Sequence, residues 1–143
     1  MKTRRMLAML QVILLFLGLI SSVSAAGEIT PYYNNVMSVR TTATISESGL
    51  LTIKNGYTGI QGETTKAVIT TYVEKKVLGL FWSRVDLGIT DDQWVDTIYN
   101  YTYSGTHSIQ LSSSGTYRVT ATYVISGTGG AADEIERTYE ASY

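Results

Sequence analysis

The feature that most constrains the fold is an alternation of apolar and polar side chains in short segments. In residues 116–126, tyrosine, valine, alanine and isoleucine fill every second position, and threonine and arginine fill most of those between. A β-strand directs successive side chains to opposite faces, so this period of two indicates a strand with one buried face. After residue 26, no segment has the periodicity and length of an ordinary helix. The pattern therefore predicts an all-β fold.

Eight segments rich in β-branched and aromatic residues follow one another after residue 38, separated by turn residues. One of them, 93–103, also fits a short helical turn followed by a strand. Seven or eight short strands predict an antiparallel β-sandwich, with a small closed barrel as the alternative. The predicted strands are 39–46, 50–57, 65–77, 80–87, 93–103, 106–111, 116–126 and 134–143.

The first 26 residues have the three parts of a secretory signal peptide. Lys2, Arg4 and Arg5 are followed by an apolar run over 6–20 and by small residues over 21–26. The run is shorter than the roughly 20 apolar residues that a spanning helix needs, although an uncleaved membrane anchor is the alternative. The segment predicts export to the cell surface or medium, with no stable membrane span after cleavage.

Three regions follow from this division. Residues 1–26 form the signal peptide, 27–38 an N-terminal arm containing Pro31 and the Asn34-Asn35 pair, and 39–143 the β-sandwich domain.

Three of the 11 basic side chains and none of the 12 acidic ones lie in the signal peptide, which leaves the rest of the chain with a net charge of −4. An acidic domain without a basic run is not expected to bind nucleic acid or an anionic membrane surface. The chain has no cysteine, which excludes a disulfide, a thiol nucleophile and a thiolate metal site.

One local motif favours the sandwich over the barrel. Residues 113–119 have the spacing of the tyrosine corner of immunoglobulin-like folds, in which a tyrosine at the start of strand F hydrogen-bonds back to the preceding turn. Tyr117 would be that tyrosine, and Val119 occupies the place of the second cysteine of antibody domains.

The chain also resembles a family of small exported domains of Gram-positive bacteria whose function is unknown. The resemblance covers roughly residues 39–143 and rests on pattern rather than on a chemical motif. It implies an immunoglobulin-like fold and export, and it carries over no catalytic residue. The segments that carry it are Glu74-Lys75-Lys76, Phe81-Trp82, Ser114-Gly115-Thr116-Tyr117-Arg118-Val119 and the closing strand after an acidic loop.

No group of side chains predicts catalysis, a cofactor or a metal site. His107 is the only histidine, and a triad with a serine and Asp96 or Asp133 has no local support, so a histidine at the rim of the domain is expected. Asp91, Asp92 and Asp96 lack the spacing of a calcium loop and are expected to lie in a solvated turn.

The acidic residues of the last strand, Glu134, Glu136 and Glu140, are expected on a polar outer face. Glu136 and Glu140 are too far apart along a strand, about 13 Å, for glycoside hydrolysis.

The apolar run at residues 77–82 is the sharpest anomaly, because the tip of a hairpin is normally polar. Leu78-Gly79 predicts the turn, with Lys75, Lys76 and Arg84 around it. Either the run folds onto a sheet edge or the N-terminal arm, or it forms a contact surface. With Trp82 and Leu80 pointing inward, Phe81 and Leu78 would remain outside.

A second candidate surface is the tyrosine series 99, 101 and 103, which alternate on one face of a predicted strand and could stack on a sugar or peptide. Packing against threonines of a neighbouring strand explains the same pattern without a ligand. The candidate contact residues are therefore Leu78, Leu80, Phe81, Tyr99, Tyr101 and Tyr103.

The sequence thus predicts an exported, non-enzymatic binding domain that contacts a protein or the cell wall. The alternatives are a small secreted hydrolase and a self-assembling surface protein, and the oligomeric state stays open.

Overall fold

The computed structural model describes residues 32–143, which form two antiparallel sheets. The strands in these residues are β1 (Val36–Ile45), β2 (Leu50–Gly59), β3 (Thr64–Val77), β4 (Phe81–Arg84), β5 (Trp94–Ile98), β6 (Thr102–Gln110), β7 (Thr116–Gly127) and β8 (Asp133–Ser142). The three-stranded sheet has the order β1-β2-β6, and the five-stranded sheet has the order β4-β3-β7-β8 with β5 on the same edge of β3 as β4.

The two sheets form an immunoglobulin-like β-sandwich, which confirms the predicted fold class. Inward-facing residues alternate with outward-facing ones along β2, β3 and β7, as expected where two sheets share one core. The tyrosine corner is also present: the buried Tyr117 hydroxyl donates a hydrogen bond to the Ser113 carbonyl at 2.5 Å. Within residues 32–143, no helix has the length and apolar character needed to cross a bilayer.

The core between the sheets consists of two apolar clusters separated by a polar layer. Asn55 donates from its side-chain amide to the Thr71 hydroxyl at 2.7 Å, and the Tyr123 hydroxyl donates to the Arg40 carbonyl at 2.8 Å. The Thr41 hydroxyl lies 2.8 Å from that of Tyr123. Because buried polar groups without partners destabilise a fold, these four side chains must stay in register. The polar layer comprises Thr41, Asn55, Thr71 and Tyr123.

The first strand starts earlier than the sequence predicted, at Val36 rather than at residue 39. The Asp133 carboxylate accepts hydrogen bonds from the backbone N–H groups of Asn34 at 2.8 Å and Asn35 at 2.6 Å. Val36 is buried in the core. The Asn34-Asn35 pair is therefore part of the domain rather than of an arm. Residues 1–31, with the predicted signal peptide and most of the predicted arm, lie outside the described residues.

Two further strand predictions differ from the structure. The predicted strand 80–87 is shortened to β4, because the chain turns into a loop in which Asp92 accepts a hydrogen bond from the Leu87 N–H at 2.9 Å. The ambiguous segment 93–103 splits into β5, a turn and the first residues of β6. A 3₁₀ turn, Thr90–Asp92, precedes β5.

Candidate functional site

The β3–β4 hairpin ends in an exposed apolar tip. Leu78 is 85% exposed, Leu80 74% and Phe81 62%, and Val77 is also exposed. We call these four residues the tip surface. Within the described residues the tip is therefore not folded onto a sheet edge. It lies at the end of the sandwich opposite Val36, so the described part of the N-terminal segment does not cover it.

The conformation of the turn is unfavourable for its first residue. Leu78 has a φ of +52° and Gly79 a φ of +70°, and the Leu80 N–H donates to the Val77 carbonyl at 3.0 Å. Two successive residues with positive φ are typical of a type I′ turn, in which asparagine, aspartate and glycine are preferred. A leucine in this region is sterically strained. Since its side chain points to solvent, packing within the described domain does not offset the strain.

Behind the tip, the outer face of the five-stranded sheet carries stacked aromatic and cationic groups. Trp82 is half-buried below the guanidinium of Arg118, whose carbon lies 4.3 Å from the ring centroid, and the Lys76 ammonium lies 5.4 Å from that centroid. The Arg84 guanidinium lies 3.5 Å from the ring centroid of Tyr72. Such contacts hold the base of the hairpin in place.

The structure places Trp82 and Leu80 outside the core. The sequence left open an arrangement in which both side chains point inward, but Trp82 lies on the outer sheet face and Leu80 is exposed. The reason is register: Trp82 pairs with Lys76, whose side chain is directed outward, and Phe81 pairs with Val77 beyond the last buried residue of β3, Val73.

A cleft of about 270 Å³ opens at the inner side of the hairpin base. Its apolar walls are Val77, Val85, Ile109, Leu111 and Tyr117. It connects the tip surface with the core end that contains Leu111 and Tyr117, so a group bound at the tip would also meet apolar side chains here.

The tyrosine platform is not formed. Tyr99 and Tyr101 lie in the turn between β5 and β6, whereas Tyr103 lies in β6 and packs against the core. Burial raises the pKa of the Tyr103 hydroxyl above its ordinary value of 10, and the neighbouring carboxylate of Asp96 raises that pKa further. The predicted shared face was wrong because the chain crosses from one sheet to the other between Ile98 and Thr102.

His107 is paired with Asp96 between the two edge strands β5 and β6. Its Nε2 lies 2.7 Å from the Asp96 carboxylate, and Trp94 stacks on the imidazole with ring centroids 4.9 Å apart. The pair closes the side of the sandwich on which both sheets end. In residues 32–143 no serine or threonine hydroxyl is hydrogen-bonded to His107.

The aspartates of the predicted turn do not converge. Asp96 faces His107, while Asp92 binds the Leu87 N–H. Across residues 32–143 there is no group of three or more histidine, aspartate or glutamate side chains with metal-ligand geometry. Asp133, considered above as a triad acid, instead binds the backbone of Asn34 and Asn35.

Sequence reasoning missed the polar layer and the Asp133 contact. Asn55 occupies an inward position of the predicted strand 50–57, where an apolar residue is usual, and this break in the pattern was the available signal. For Asp133 no signal existed, because its partners are backbone groups almost a hundred residues away.

Compared with known proteins, the chain matches no protein-family model and no curated protein sequence.

Proposed function

We propose that this chain is an exported, non-enzymatic interaction domain that contacts another macromolecule through the tip surface. The β3–β4 hairpin extends beyond the end of the sandwich, and the proposed contact residues are Leu78, Leu80 and Phe81. The observation that carries the proposal is the exposure of these three large apolar side chains side by side in a strained turn. Exposed apolar patches of this kind mark interaction sites in soluble proteins.

The conformation of Leu78 strengthens this proposal. Asparagine or glycine would suit its backbone better and would expose less apolar surface. A leucine that is both strained and solvated does not stabilise the described domain. Its presence is explained if the side chain becomes buried on binding.

The predicted export of the chain also supports a contact with a partner outside the cell. The signal peptide pattern of residues 1–26 predicts delivery outside the cell, where a cysteine-free sandwich relies on packing for its stability.

The test is capture from cell-envelope extract on immobilised protein, followed by identification of whatever is retained. We expect a component that binds the wild type and is lost on the double substitution Leu78→Ser/Phe81→Ser. Met37→Ser is the matched control, because Met37 is an equally exposed apolar residue at the opposite end of the sandwich. Equal capture by the double variant and the wild type would contradict the proposal.

A further inference from the structure

We infer that the partner of the tip surface is an anionic lipid bilayer, an inference that rests on the proposed contact role of the tip. Apolar and cationic side chains occupy successive levels along the hairpin. Its far end, residues 77–81, carries only apolar side chains and a glycine, and the cations Lys75, Lys76 and Arg84 follow within three residues on both strands. We call these three cations the collar. Apolar side chains at the tip, followed by the collar, match the order of acyl chains and then anionic headgroups from the interior of a membrane to its surface.

The collar cations are not neutralised by the described part of the protein. Within residues 32–143, none of the three lies within 4.0 Å of a carboxylate oxygen. Their contacts are with uncharged groups instead: Lys75 donates to the Ser113 hydroxyl at 2.6 Å, and Lys76 and Arg84 lie over aromatic rings. Their charges therefore remain available to lipid phosphates.

Two carboxylates near the collar have other partners. Glu74 accepts two hydrogen bonds from Arg118, at 2.7 and 2.9 Å, and Asp86 accepts one from the Gly88 N–H at 2.8 Å. The domain as a whole is acidic, so an anionic surface would repel most of it. Attraction is therefore confined to the end of the sandwich that bears the hairpin.

Trp82 lies at the level of the collar, one residue behind Phe81. Tryptophan is enriched where membrane meets water, because its ring is apolar and its N–H is polar. Trp82 is half-buried against Arg118 and Lys76, which leaves part of the ring exposed at the depth expected for headgroups.

The exposure of the tip favours a bilayer as its partner. Leu78, Leu80 and Phe81 are each largely exposed, so all three side chains are free to enter fluid acyl chains without a change in the described fold.

The experiment is vesicle flotation of the full chain. The probes are vesicles of phosphatidylcholine alone and of phosphatidylcholine with phosphatidylglycerol, in roughly a three to one ratio. We expect binding to the mixed vesicles, about tenfold weaker binding to phosphatidylcholine alone, and about tenfold weaker binding on Leu78→Ser/Phe81→Ser. Met37→Ser serves again as the control and should bind like the wild type.

A second measurement separates the tip from any binding by residues 1–31, which are common to all variants. In a Trp94→Phe background Trp82 is the one remaining tryptophan, since the chain has two. Lipids brominated near the headgroup should quench its fluorescence on addition of mixed vesicles, and the double tip variant should abolish the quenching.

Each outcome decides between the two proposals. Absence of Trp82 quenching by the mixed vesicles overturns the bilayer inference, and if envelope capture still depends on the tip, the partner is a protein or cell-wall component and the proposed function stands. Loss of both vesicle binding and tip-dependent capture overturns both. Quenching that the double variant leaves unchanged also overturns the bilayer inference, because the tip would then not be the inserting element.

Discussion

Leu78 is the residue at which stability of the fold and the proposed contact role make opposite demands. Its backbone lies in the left-handed region, where an L-residue with a branched side chain is strained, and its side chain has no buried contact to compensate. The fold tolerates this residue rather than requiring it. Replacement by a residue suited to the turn should therefore stabilise the domain.

We predict that Leu78→Asn raises the free energy of unfolding by about 0.5–1 kcal/mol, because asparagine tolerates positive φ. Urea denaturation measures the change. The control is Leu80→Asn, since Leu80 is similarly exposed but has no positive φ, and its effect should stay within about 0.5 kcal/mol. A less stable Leu78→Asn protein would show that the leucine packs against the domain after all.

Tyr117 shows the opposite situation, a side chain on which the fold depends. We predict that Tyr117→Phe lowers the free energy of unfolding by about 1 kcal/mol, because the Ser113 carbonyl loses its hydrogen bond from the tyrosine. Thermal and urea unfolding would measure this. Tyr139→Phe, at an exposed tyrosine of β8 without a side-chain hydrogen bond in the described structure, should change stability little. Equal effects of the two substitutions would mean that the corner contributes nothing.

At the scale of elements, the polar layer ties four strands together across the core. Thr41 lies on β1, Asn55 on β2, Thr71 on β3 and Tyr123 on β7, so the layer links both sheets at mid-height. Apolar packing alone tolerates many arrangements, whereas a hydrogen-bonded layer favours one register.

Thr71→Val should lower the free energy of unfolding by about 1–3 kcal/mol, because the Asn55 amide then loses its partner while staying buried. Urea denaturation is the measurement. Thr70→Val provides the comparison, since Thr70 lies next to it on β3 with its side chain on the outer face. A double substitution with Asn55→Leu should cost less than the sum of the single ones, and strict additivity would contradict the coupling.

The sequence predicted elements well where alternation was strong and poorly where the chain changes sheets. The segment 116–126 appears almost unchanged as β7, because both its faces and its turn are marked by residue type. Residues 93–103 were ambiguous, because a crossover between sheets interrupts the period of two. The sequence did not decide whether the side chains of the hairpin tip are buried or exposed. Alternation distinguishes a buried face only where a second sheet lies opposite, and the tip extends beyond the second sheet.

At the scale of the molecule, two buried tyrosines and one partly buried tyrosine make the free energy of unfolding depend on pH in the alkaline range. Burial raises the pKa of Tyr57, Tyr103 and Tyr123 above the ordinary value of 10. The folded state therefore holds these protons more tightly than the unfolded state does. Their contribution is fully present below about pH 10 and is lost as the pH rises through the folded-state values.

Urea unfolding between about pH 8 and pH 11.5 should accordingly show a free energy that falls above about pH 10. Ultraviolet absorbance of tyrosinate reports the ionisation in parallel. Tyr123→Phe, although less stable at all pH values, should show a shallower fall because one of the three groups is gone. A free energy that is flat across this range would contradict the link between burial and stability.

The central claim is that the tip surface serves contact and not folding. The most direct test is the thermal unfolding temperature of Leu78→Ser/Phe81→Ser beside that of the wild type. An exposed tip predicts a shift of no more than a few degrees, equivalent to about 0.5 kcal/mol or less. A fall of about 10 °C or more would show that the tip belongs to the core and would contradict the claim.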